Sequence, residues 1–330
     1  MPIAPATDRR LAALSIGPAA ARALPGGDTT LRVHSSFANS VNIAVEGSEL
    51  LVLLCHARGA GYPHSLVLPE ESDFSTRPFR AGSTGLLRGG ELLFGGPDHG
   101  VRIGLERARR RPRRMLPLPV PWSGVHARCA QHLARFQGQI GAELRIEALL
   151  DGTHSPGAEA AELHAAAHEL ALWLRSELAV SCSSSSPLGA QTGSFVPWKA
   201  VASLVGRGPG LTPSGDDFLC GWLAALRCGA GSADGAPAPG PAEALSRATA
   251  QSLDATTDIS ASLLRCAMQG FWPEPLADLA AALADEREFE AIRALDELCR
   301  FGHSSGADIA TGFLFGLATQ ADRGGAAPCP

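Results

Sequence analysis

A run of hydroxyl, glycine and acid occurs twice in this chain, and each time it places a carboxylate at the start of an apolar segment. Residues 212–226 read TPSGDDFLCGWLAAL, and residues 303–317 read HSSGADIATGFLFGL. In each copy a Ser-Gly-x-Asp turn leads into a helix, so the acid falls in the first turn. Free backbone N–H groups and the helix dipole favour negative charge there. Such a place suits an anion or a metal ion.

The first copy carries more chemistry, because residues 206–217 read GRGPGLTPSGDD. Glycine permits positive φ and a close approach of the backbone to a ligand, and successive N–H groups in such a loop can form a concave anion site. We expect this loop to hold a phosphate-like or carboxylate-like group. A capped helix after a tight turn is the structural alternative. The residues predicted to bind the anion here are Gly208, Gly210, Thr212, Ser214 and Gly215.

Acids beside an anion site would repel the anion unless a cation bridged them. Mg²⁺ binds carboxylate oxygens and is commonly shared with substrate phosphates, so Mg²⁺ is the candidate cofactor and no other is indicated. A third acidic helix start lies in TTDIS at residues 256–260, where Thr257 precedes the acid. The candidate metal ligands are Asp216, Asp217 and Asp258. A pocket that binds only the anion is the alternative, and Ala307, which replaces the first acid in the second copy, counts against the metal.

The acids and one histidine are also candidates for catalysis. His303 opens the second copy at the place of Thr212 and could act as an acid, a base or an anion donor. Lys199, the single lysine of the chain, and Arg207 could balance the charge of a substrate. Thr257 and Ser305 complete the predicted substrate-binding set. The predicted catalytic residues are Asp216, Asp217, His303 and Asp308.

The string GPGLTPSGDDFLCG, together with TTDIS, resembles the signature of a bacterial family of the domain-of-unknown-function kind. The AllH subunit of oxamate carbamoyltransferase typifies that family. The resemblance implies a soluble subunit in purine (allantoin) nitrogen catabolism that converts oxalurate and phosphate to oxamate and carbamoyl phosphate. It also implies two partner subunits, one similar to acyl-CoA synthetases and one from a second family of unknown function.

Carbamoyl transfer to phosphate does not require a covalent intermediate. It requires a positioned phosphate, a polarised carbamoyl oxygen and stabilised negative charge in the transition state. On this hypothesis the glycine run, Thr212 and Ser214 hold phosphate, whereas Asp216 and Asp217 orient a metal or the amide nitrogen. Two alternatives stay open: a metal-dependent hydrolase that acts alone, and a non-catalytic scaffold whose motif copies are structural caps.

Composition limits the classes of function. The chain has 330 residues, of which 45% are hydrophobic and 18% charged, and a net charge of −5. An acidic chain argues against a general nucleic-acid surface. The arginine-rich segment 107–114 is therefore interpreted as a solvated loop or a contact with an acidic partner. The start lacks the apolar core of a secretory signal and no apolar run is long enough to cross a bilayer, so we expect a cytoplasmic protein.

The elements that position these residues change character near residue 120. Before it, short apolar runs between Gly, Pro, Ser and Asn clusters predict strands of a sheet or barrel. After it, helical periodicity prevails. The prediction is an α+β protein with a β-rich domain over residues 1–120 and an α-helical domain over 121–330. The predicted helices cover residues 123–138, 157–179, 217–228, 241–253, 258–270, 275–285, 287–301 and 308–321.

Overall fold

The fold is described from a computed structural model, which confirms the α+β prediction: a curled β-sheet precedes a helical region. The chain forms two compact units, one of Met1–Arg114 with Phe271–Glu274 and the other of Met115–Gly270 with Pro275–Pro330. The predicted boundary at residues 120 and 121 lies outside the described residues. The structure describes residues 9–24, 26–59, 61–95, 100–114, 116, 122–140, 142–153, 157–183, 197–228 and 240–321.

The first unit is built around a ten-stranded sheet with the strand order β1-β9-β8-β7-β3-β4-β5-β6-β2-β10. Most neighbours are antiparallel, whereas β1 with β9, β5 with β6 and β2 with β10 are parallel. The strands are β1 Arg9–Ala12, β2 Ser15–Ile16, β3 Thr29–Phe37, β4 Ser40–Val45, β5 Leu51–Cys55, β6 Ser65–Val67, β7 Thr84–Arg88, β8 Glu91–Phe94, β9 Val101–Gly104 and β10 Arg109–Arg110.

The sheet curls because of how β1 is connected to β2. In the strand order these two strands are eight spacings apart, which would be about 38 Å in a flat sheet at about 4.8 Å per strand. Only Ala13 and Leu14 link them, a connection that reaches about 11 Å at most. The Ala13 N–H bonds to the Gly104 carbonyl on one side, and the Leu14 N–H bonds to the Val67 carbonyl on the other. The two ends of the sheet therefore meet at this linker.

The second unit is helical, and its longer helices match the predicted ranges to within a few residues at most ends. The short helices α3 and α5 were not predicted, and α6 and α11 begin three residues before their predicted starts. The helices are α1 Pro18–Ala23 in the first unit, then α2 Gly124–Ile140, α3 Ile146–Asp151, α4 Ala158–Ser183, α5 Trp198–Leu204, α6 Ser214–Arg227, α7 Pro241–Ala250, α8 Asp258–Met268, α9 Glu274–Ala284, α10 Glu288–Cys299 and α11 Ser305–Ala321.

The arginine-rich segment is only partly solvated. Arg109 and Arg110 form the exposed strand β10, but Arg111 is 4% exposed. Its guanidinium donates to Glu274 Oε1 at 3.0 Å and to Ser65 Oγ at 2.7 Å. Arg111 is therefore part of the interior of the first unit. In the described part of the chain, no helix is both long enough and apolar enough to span a membrane.

Candidate functional site

The two copies of the motif form a pair of helices, α6 and α11, that run side by side in the same direction. The helices approach closely because each has glycines on the shared face. A Cβ at Gly221 would overlap the Ile309 carbonyl oxygen, and a Cβ at Gly312 would overlap the Phe218 carbonyl oxygen. Further along, a Cβ at Gly316 would lie 2.7 Å from the Cβ of Ala225. The first turns of both helices therefore lie together.

The similarity of the copies extends to the helix before each motif. Gly215 packs against the Leu204 carbonyl at the end of α5, and Gly306 packs against the Leu298 carbonyl near the end of α10. A side chain at either glycine would overlap that carbonyl. The repeated unit is thus a helix, a turn and a second helix whose start packs on the end of the first.

The turn is longer in the first copy. The Gly215 N–H bonds to the Arg207 carbonyl eight residues earlier, whereas the Gly306 N–H bonds to the Phe301 carbonyl five residues earlier. The three extra residues fit at 209–211, since Gly208 and Gly302 both have positive φ and both lie against the first residue of the following helix. Residues 209–211 are exposed. We call residues 206–213 the glycine loop.

The start of a third helix, α8, lies against the glycine loop. The Thr257 hydroxyl accepts a hydrogen bond from the Ser260 N–H at 3.1 Å and so caps α8. The same hydroxyl donates to the Leu211 carbonyl at 2.5 Å and so holds the exposed part of the glycine loop. We call this assembly, made of the glycine loop and the first turns of α6, α8 and α11, the helix-start cluster.

Asp216 ties the glycine loop to α8. Its carboxylate accepts hydrogen bonds from the Gly206 N–H at 2.9 Å, from the Ser260 hydroxyl at 2.6 Å and from the Thr256 hydroxyl. Asp216 is 1% exposed. Burial raises the pKa of this carboxyl, and the three hydrogen bonds act in the opposite direction. Both carboxylate oxygens are therefore engaged inside the protein.

Asp217 and Asp308 occupy the same position in the two copies and form a buried pair. They are 1% and 0% exposed. Burial raises the pKa of Asp217 well above its ordinary value, and the charge of Asp308 raises it further. Burial also raises the pKa of Asp308, to about 7, while the hydroxyls of Ser214 and Ser304 oppose this shift. Each acid thus lies near a serine of the other copy, because Ser305 likewise lowers the pKa of Asp217.

A hydroxyl pair links the glycine loop to the second copy. Thr212 Oγ1 and Ser305 Oγ lie 2.6 Å apart, and either hydroxyl can be the donor. Thr212 is half-buried, and both hydroxyls lower the pKa of Asp217. The two hydroxyls therefore connect the glycine loop with Asp217.

The glycine loop has backbone donors that no described residue accepts from. Four residues of the loop, and the residue that follows it, have backbone N–H groups that donate no hydrogen bond to another described residue. Pro209 and Pro213 have no N–H. The positive φ angles of Gly208 (110°) and Gly210 (92°) turn the backbone between these donors. A loop of this kind, next to helix N-termini, can bind an oxyanion. The unused donors are those of Gly208, Gly210, Leu211, Thr212 and Ser214.

The predicted basic residues are on the surface. Arg207 is an exposed residue of the glycine loop, and His303 is exposed in the turn before α11. Lys199 is exposed on the first turn of α5, where its ammonium lies 5.9 Å from the ring centroid of Trp198. Arg207 therefore belongs to the cluster, His303 lies two residues before the first turn of α11, and Lys199 lies at the start of the separate helix α5.

The structure does not gather the predicted metal ligands. Asp258 is exposed at the start of α8, while Asp216 uses both oxygens within the protein. The described part of the chain contains no group of three or more His, Cys, Asp or Glu side chains placed to hold a metal ion. The assignment of Asp216, Asp217 and Asp258 as metal ligands stays a prediction.

Sequence reasoning missed some members of the cluster. Ser260 and Thr256 bind Asp216, and Glu143 raises the pKa of Asp308 from a turn before α3. Thr256 and Ser260 are the first and last letters of TTDIS, so the hydroxyls that flank its acid were a usable signal. Glu143 follows no motif, and only the folded chain shows its proximity to Asp308.

A cavity of about 850 Å³ lies elsewhere in the helical unit, beside the C-terminal half of α11. Trp122, His168, Arg175, Phe315 and Thr319 are among its lining residues. None of the predicted site residues lines it, so the cavity and the helix-start cluster are separate features.

Two models of known protein families match the chain, one in its N-terminal part and one in its C-terminal part. A family model described as the AllH family N-terminal domain matches residues 12–110. A second model, described as oxamate carbamoyltransferase subunit AllH, matches residues 204–317, a range that contains both motif copies and TTDIS. No solved structure matches the chain.

Proposed function

Because the chain belongs to the AllH family, as the two matches over most of its length show, we propose that it is a subunit of an oxamate-type carbamoyltransferase. The proposed reaction transfers a carbamoyl group from oxalurate to phosphate and yields oxamate and carbamoyl phosphate. The observation that carries the proposal is the helix-start cluster, where unused backbone donors meet three helix N-termini. Every substrate and product of this reaction is an anion.

In this proposal the glycine loop holds the phosphate. The N–H groups of Gly208, Gly210 and Leu211 donate to its oxygens, and the hydroxyl of Thr212 adds a further donor. Arg207 is exposed in the same loop and balances the charge of the bound anion. Donors fixed in place before the substrate arrives stabilise developing charge without reorganising, which is the main electrostatic contribution to such a reaction.

The buried acids of the cluster hold the glycine loop in position in this proposal. Asp216 fixes the loop to α8 through hydrogen bonds to Gly206 and Ser260, and Asp217 lies behind Thr212 and Ser305. We assign both to positioning, since they are buried. His303 is exposed in the turn before α11 and is the proposed acid or base for the amide nitrogen.

The proposal includes partner subunits and a pathway. The matching family is described as a subunit, which supports a complex of several chains. We propose that the partners are an acyl-CoA-synthetase-like subunit and a subunit of a second family, and that the complex acts in allantoin catabolism in the cytoplasm. The exposed cations Arg109 and Arg110 offer a contact for an acidic partner surface.

Thermal unfolding of the purified chain with ligands tests the site. A ligand at about a hundred times its dissociation constant adds about 2.7 kcal/mol to the free energy of unfolding, which raises Tm by several degrees. Carbamoyl phosphate, phosphate, oxamate and oxalurate are the ligands, each with and without Mg²⁺. We expect a rise in Tm that is absent in Gly208→Ala, because that side chain would lie 2.7 Å from the Ser214 nitrogen.

Gly27→Ala is the matched control, since a Cβ at Gly27 has no atom within 4 Å. Turnover by the complex assembled with its partner subunits completes the test. Wild-type turnover with Gly208→Ala would contradict a substrate role for the glycine loop. If Gly208→Ala changed assembly and left chemistry unchanged, the cluster would be a structural support of a scaffold subunit, and hydrolysis by the isolated chain with a divalent metal would instead indicate the hydrolase.

A further inference from the structure

The cavity beside α11 lies wholly in the second unit, and four helices form its walls. It has a volume of about 850 Å³, and its lining residues come mainly from α2, α3, α4 and α11. This volume is within the range of about 300–1,000 Å³ that is typical of small-molecule sites. Because no residue of the glycine loop lines it, the cavity is a candidate site with a chemistry of its own.

Pairs of alanines three residues apart create the space. Ala127 and Ala130 lie on α2, and Ala318 and Ala321 lie on α11. Residues with this spacing share one face of a helix, so both helices turn small side chains toward the cavity. In the contact of α6 with α11, small residues bring two backbones together. Here they leave a volume open.

Buried contacts fix the frame of the cavity. Gln137, on α2, is 0% exposed. Its amide nitrogen donates to Thr311 Oγ1 on α11 at 2.7 Å and to the Leu144 carbonyl at 2.6 Å. Its amide oxygen accepts from the Ile146 N–H, at the start of α3, at 2.9 Å. One side chain thus connects three of the four helices, and a cavity with ordered walls binds a ligand without having to order them first.

The buried part of the lining is mainly apolar. Ile146 and Leu149 are 0% and 1% exposed, and Phe315 is 3% exposed. The centroid of the Phe315 ring lies 5.4 Å from that of Trp222 and 5.6 Å from that of His168, so neighbouring rings hold it in place. Aromatic rings pack favourably against other rings, either offset or edge to face. This part of the cavity therefore suits a planar apolar ring.

The exposed part of the lining is polar, and Arg175 is the one lysine or arginine among the described lining residues. Arg175 and His168 are seven residues apart on α4, so they share a face and lie about 10 Å apart along the helix axis. A ring that packs near His168 can therefore extend an anionic group toward Arg175. Glu147 and Asp151, on α3, are exposed lining residues that repel further negative charge. The lining favours one anionic group and disfavours several.

We propose that this cavity binds a planar aromatic molecule that carries a single anionic group, such as an aromatic monocarboxylate. The ring packs against Phe315, and the anionic group interacts with Arg175. Leu150, which is 39% exposed, and the half-buried Trp122 lose contact with water when the ligand is bound. The anions of the proposed reaction have no ring, so this inference does not rest on the proposed function.

Naphthoate, a carboxylate on two fused rings, is the probe, and naphthamide is the same ring system without the charge. Calorimetry measures the affinity of the full-length chain for both. A ligand of this size with ordinary binding energy per atom has a Kd of about 1 mM or lower. We expect saturable binding of naphthoate in this range. Naphthamide should bind about fivefold more weakly, because it lacks the interaction of the charge with the exposed Arg175.

Ala318→Leu places a larger apolar side chain in the cavity. We expect it to weaken naphthoate binding about tenfold or more, because the added atoms occupy the space of the ring. Ala127→Leu does the same from α2 and decides the test if the first variant does not fold, which circular dichroism verifies. Ala165→Leu is the matched control, since Ala165 is exposed on α4 and does not line the cavity. It should bind naphthoate as the wild type does.

Arg175→Gln removes the charge and keeps a polar side chain. We expect the affinity for naphthoate to fall to that for naphthamide, while the affinity for naphthamide stays unchanged. A purely structural effect of the substitution would instead lower both affinities. Arg135→Gln is the matched control, because Arg135 is exposed on α2 and does not line the cavity. It should leave both affinities at the wild-type values.

The outcomes separate this inference from the proposed function. Unchanged naphthoate affinity in both alanine variants, or no saturation at several times the expected Kd, overturns the cavity as a binding site. Equal wild-type affinities for naphthoate and naphthamide overturn the anionic group of the proposed ligand. Saturating phosphate should not displace naphthoate. Displacement would show that the probe occupies the glycine loop, which overturns the inference and leaves the proposed function standing.

Discussion

Gly221 and Gly312 occupy the same position in the two motif copies, and each faces the backbone of the other copy's helix. A Cβ at Gly221 would overlap the Ile309 carbonyl oxygen, and a Cβ at Gly312 would overlap the Phe218 carbonyl oxygen. The exchange is reciprocal, as in a pair related by a local two-fold axis. Because this contact sets the separation of α6 and α11, it also brings Asp217 and Asp308 to one place.

The first prediction concerns this helix contact. Gly221→Ala and Gly312→Ala should each lower the free energy of unfolding by about 1–3 kcal/mol or more, because a backbone atom obstructs the added methyl group. The intrinsic preference of a helix for alanine, up to about 1 kcal/mol, opposes this loss and does not cancel it. Urea denaturation measures the change.

Gly27→Ala is the control for the glycine variants, since nothing lies within 4 Å of its Cβ position. We expect it to change stability by less than about 0.5 kcal/mol. Stability equal to the wild type in both Gly221→Ala and Gly312→Ala would show that the helices can separate, and the described contact would not be what holds the pair together.

The second prediction separates two acids at helix starts. Asp216→Asn keeps the size of the side chain but replaces one carboxylate oxygen by an NH₂ group, which is itself a donor. The donors of Gly206, Thr256 and Ser260 then lose an acceptor. Buried donors without an acceptor cost about 1–3 kcal/mol each, so we expect a loss of about 2–4 kcal/mol of stability. Thermal and urea unfolding both report it.

Asp258→Asn is the matched control, because Asp258 is also in the first turn of a helix but is exposed. Because this side chain is at the surface, we expect a loss of at most about 1 kcal/mol, which includes its interaction with the helix dipole. A loss for Asp216→Asn no larger than the loss for Asp258→Asn would contradict the role of Asp216 as the link between the glycine loop and α8.

How far the sequence predicts the structure depends on how local the cause is. The ranges of the long helices follow from periodicity and from stop signals within each segment, and these predictions agree with the structure. The pairing of strands β1 and β9 does not follow from either segment alone, because it joins Arg9 to Val101, residues far apart in sequence. Arg111 was taken as part of a solvated run because its partner, Glu274, is 163 residues away.

The site also has features that a short segment determines and features that depend on residues far apart in sequence. The motif predicted that acids would lie at helix starts and that a glycine loop would precede them, and these are features of short segments. The partners of Asp216 are Thr256 and Ser260, 40 and 44 residues further along the chain. Which acid is satisfied and which is left in a buried pair therefore depends on how α6, α8 and α11 pack.

The third prediction is the effect of pH on stability. The pKa of Asp308 is raised to about 7 from an ordinary value of 3.8, so between these values the folded chain holds a proton that the unfolded chain has released. Stability from this group is therefore present below pH 3.8 and is lost as pH rises toward 7, with a slope of at most about 1.4 kcal/mol per pH unit.

Asp308→Asn should make the curve of unfolding free energy against pH shallower between pH 4 and 7. Compared with its own value at low pH, the variant should therefore lose less stability than the wild type does. Urea denaturation at several pH values measures both curves. Identical slopes for the wild type and Asp308→Asn would show that Asp308 ionises as easily when folded as when unfolded.

The fourth prediction uses the buried arginine of the first unit. Arg111→Met removes a guanidinium that donates to Glu274 and Ser65 and leaves the Tyr62 carbonyl without this donor. Arg111 is buried but the Glu274 side chain is 38% exposed, so the main cost is the loss of donors to the buried acceptors, about 1–3 kcal/mol. The matched change Arg110→Met affects an exposed residue of the same segment and should cost less than about 0.5 kcal/mol. Equal stability of the two variants would contradict the buried role of Arg111.

The last prediction follows from the difference in length between the two turns. Deletion of Pro209, Gly210 and Leu211 gives the first copy the turn length of the second, in which the Gly306 N–H already bonds to the Phe301 carbonyl. Because the second copy closes without these residues, we expect the deleted chain to fold, with a loss of about 1–2 kcal/mol from the missing bond between Thr257 and Leu211.

The same deletion removes two of the unused backbone donors, those of Gly210 and Leu211, so affinity for an oxyanion should fall about tenfold or more. Calorimetry with sulfate and circular dichroism of the same sample measure binding and fold together. Asp258→Asn controls for a general disturbance of the helix starts and should bind sulfate at least as well as the wild type. Unchanged affinity in a folded deletion variant would mean that the three extra residues of the first copy do not bind the anion, and the site would then have to be sought at the shorter turn that both copies share.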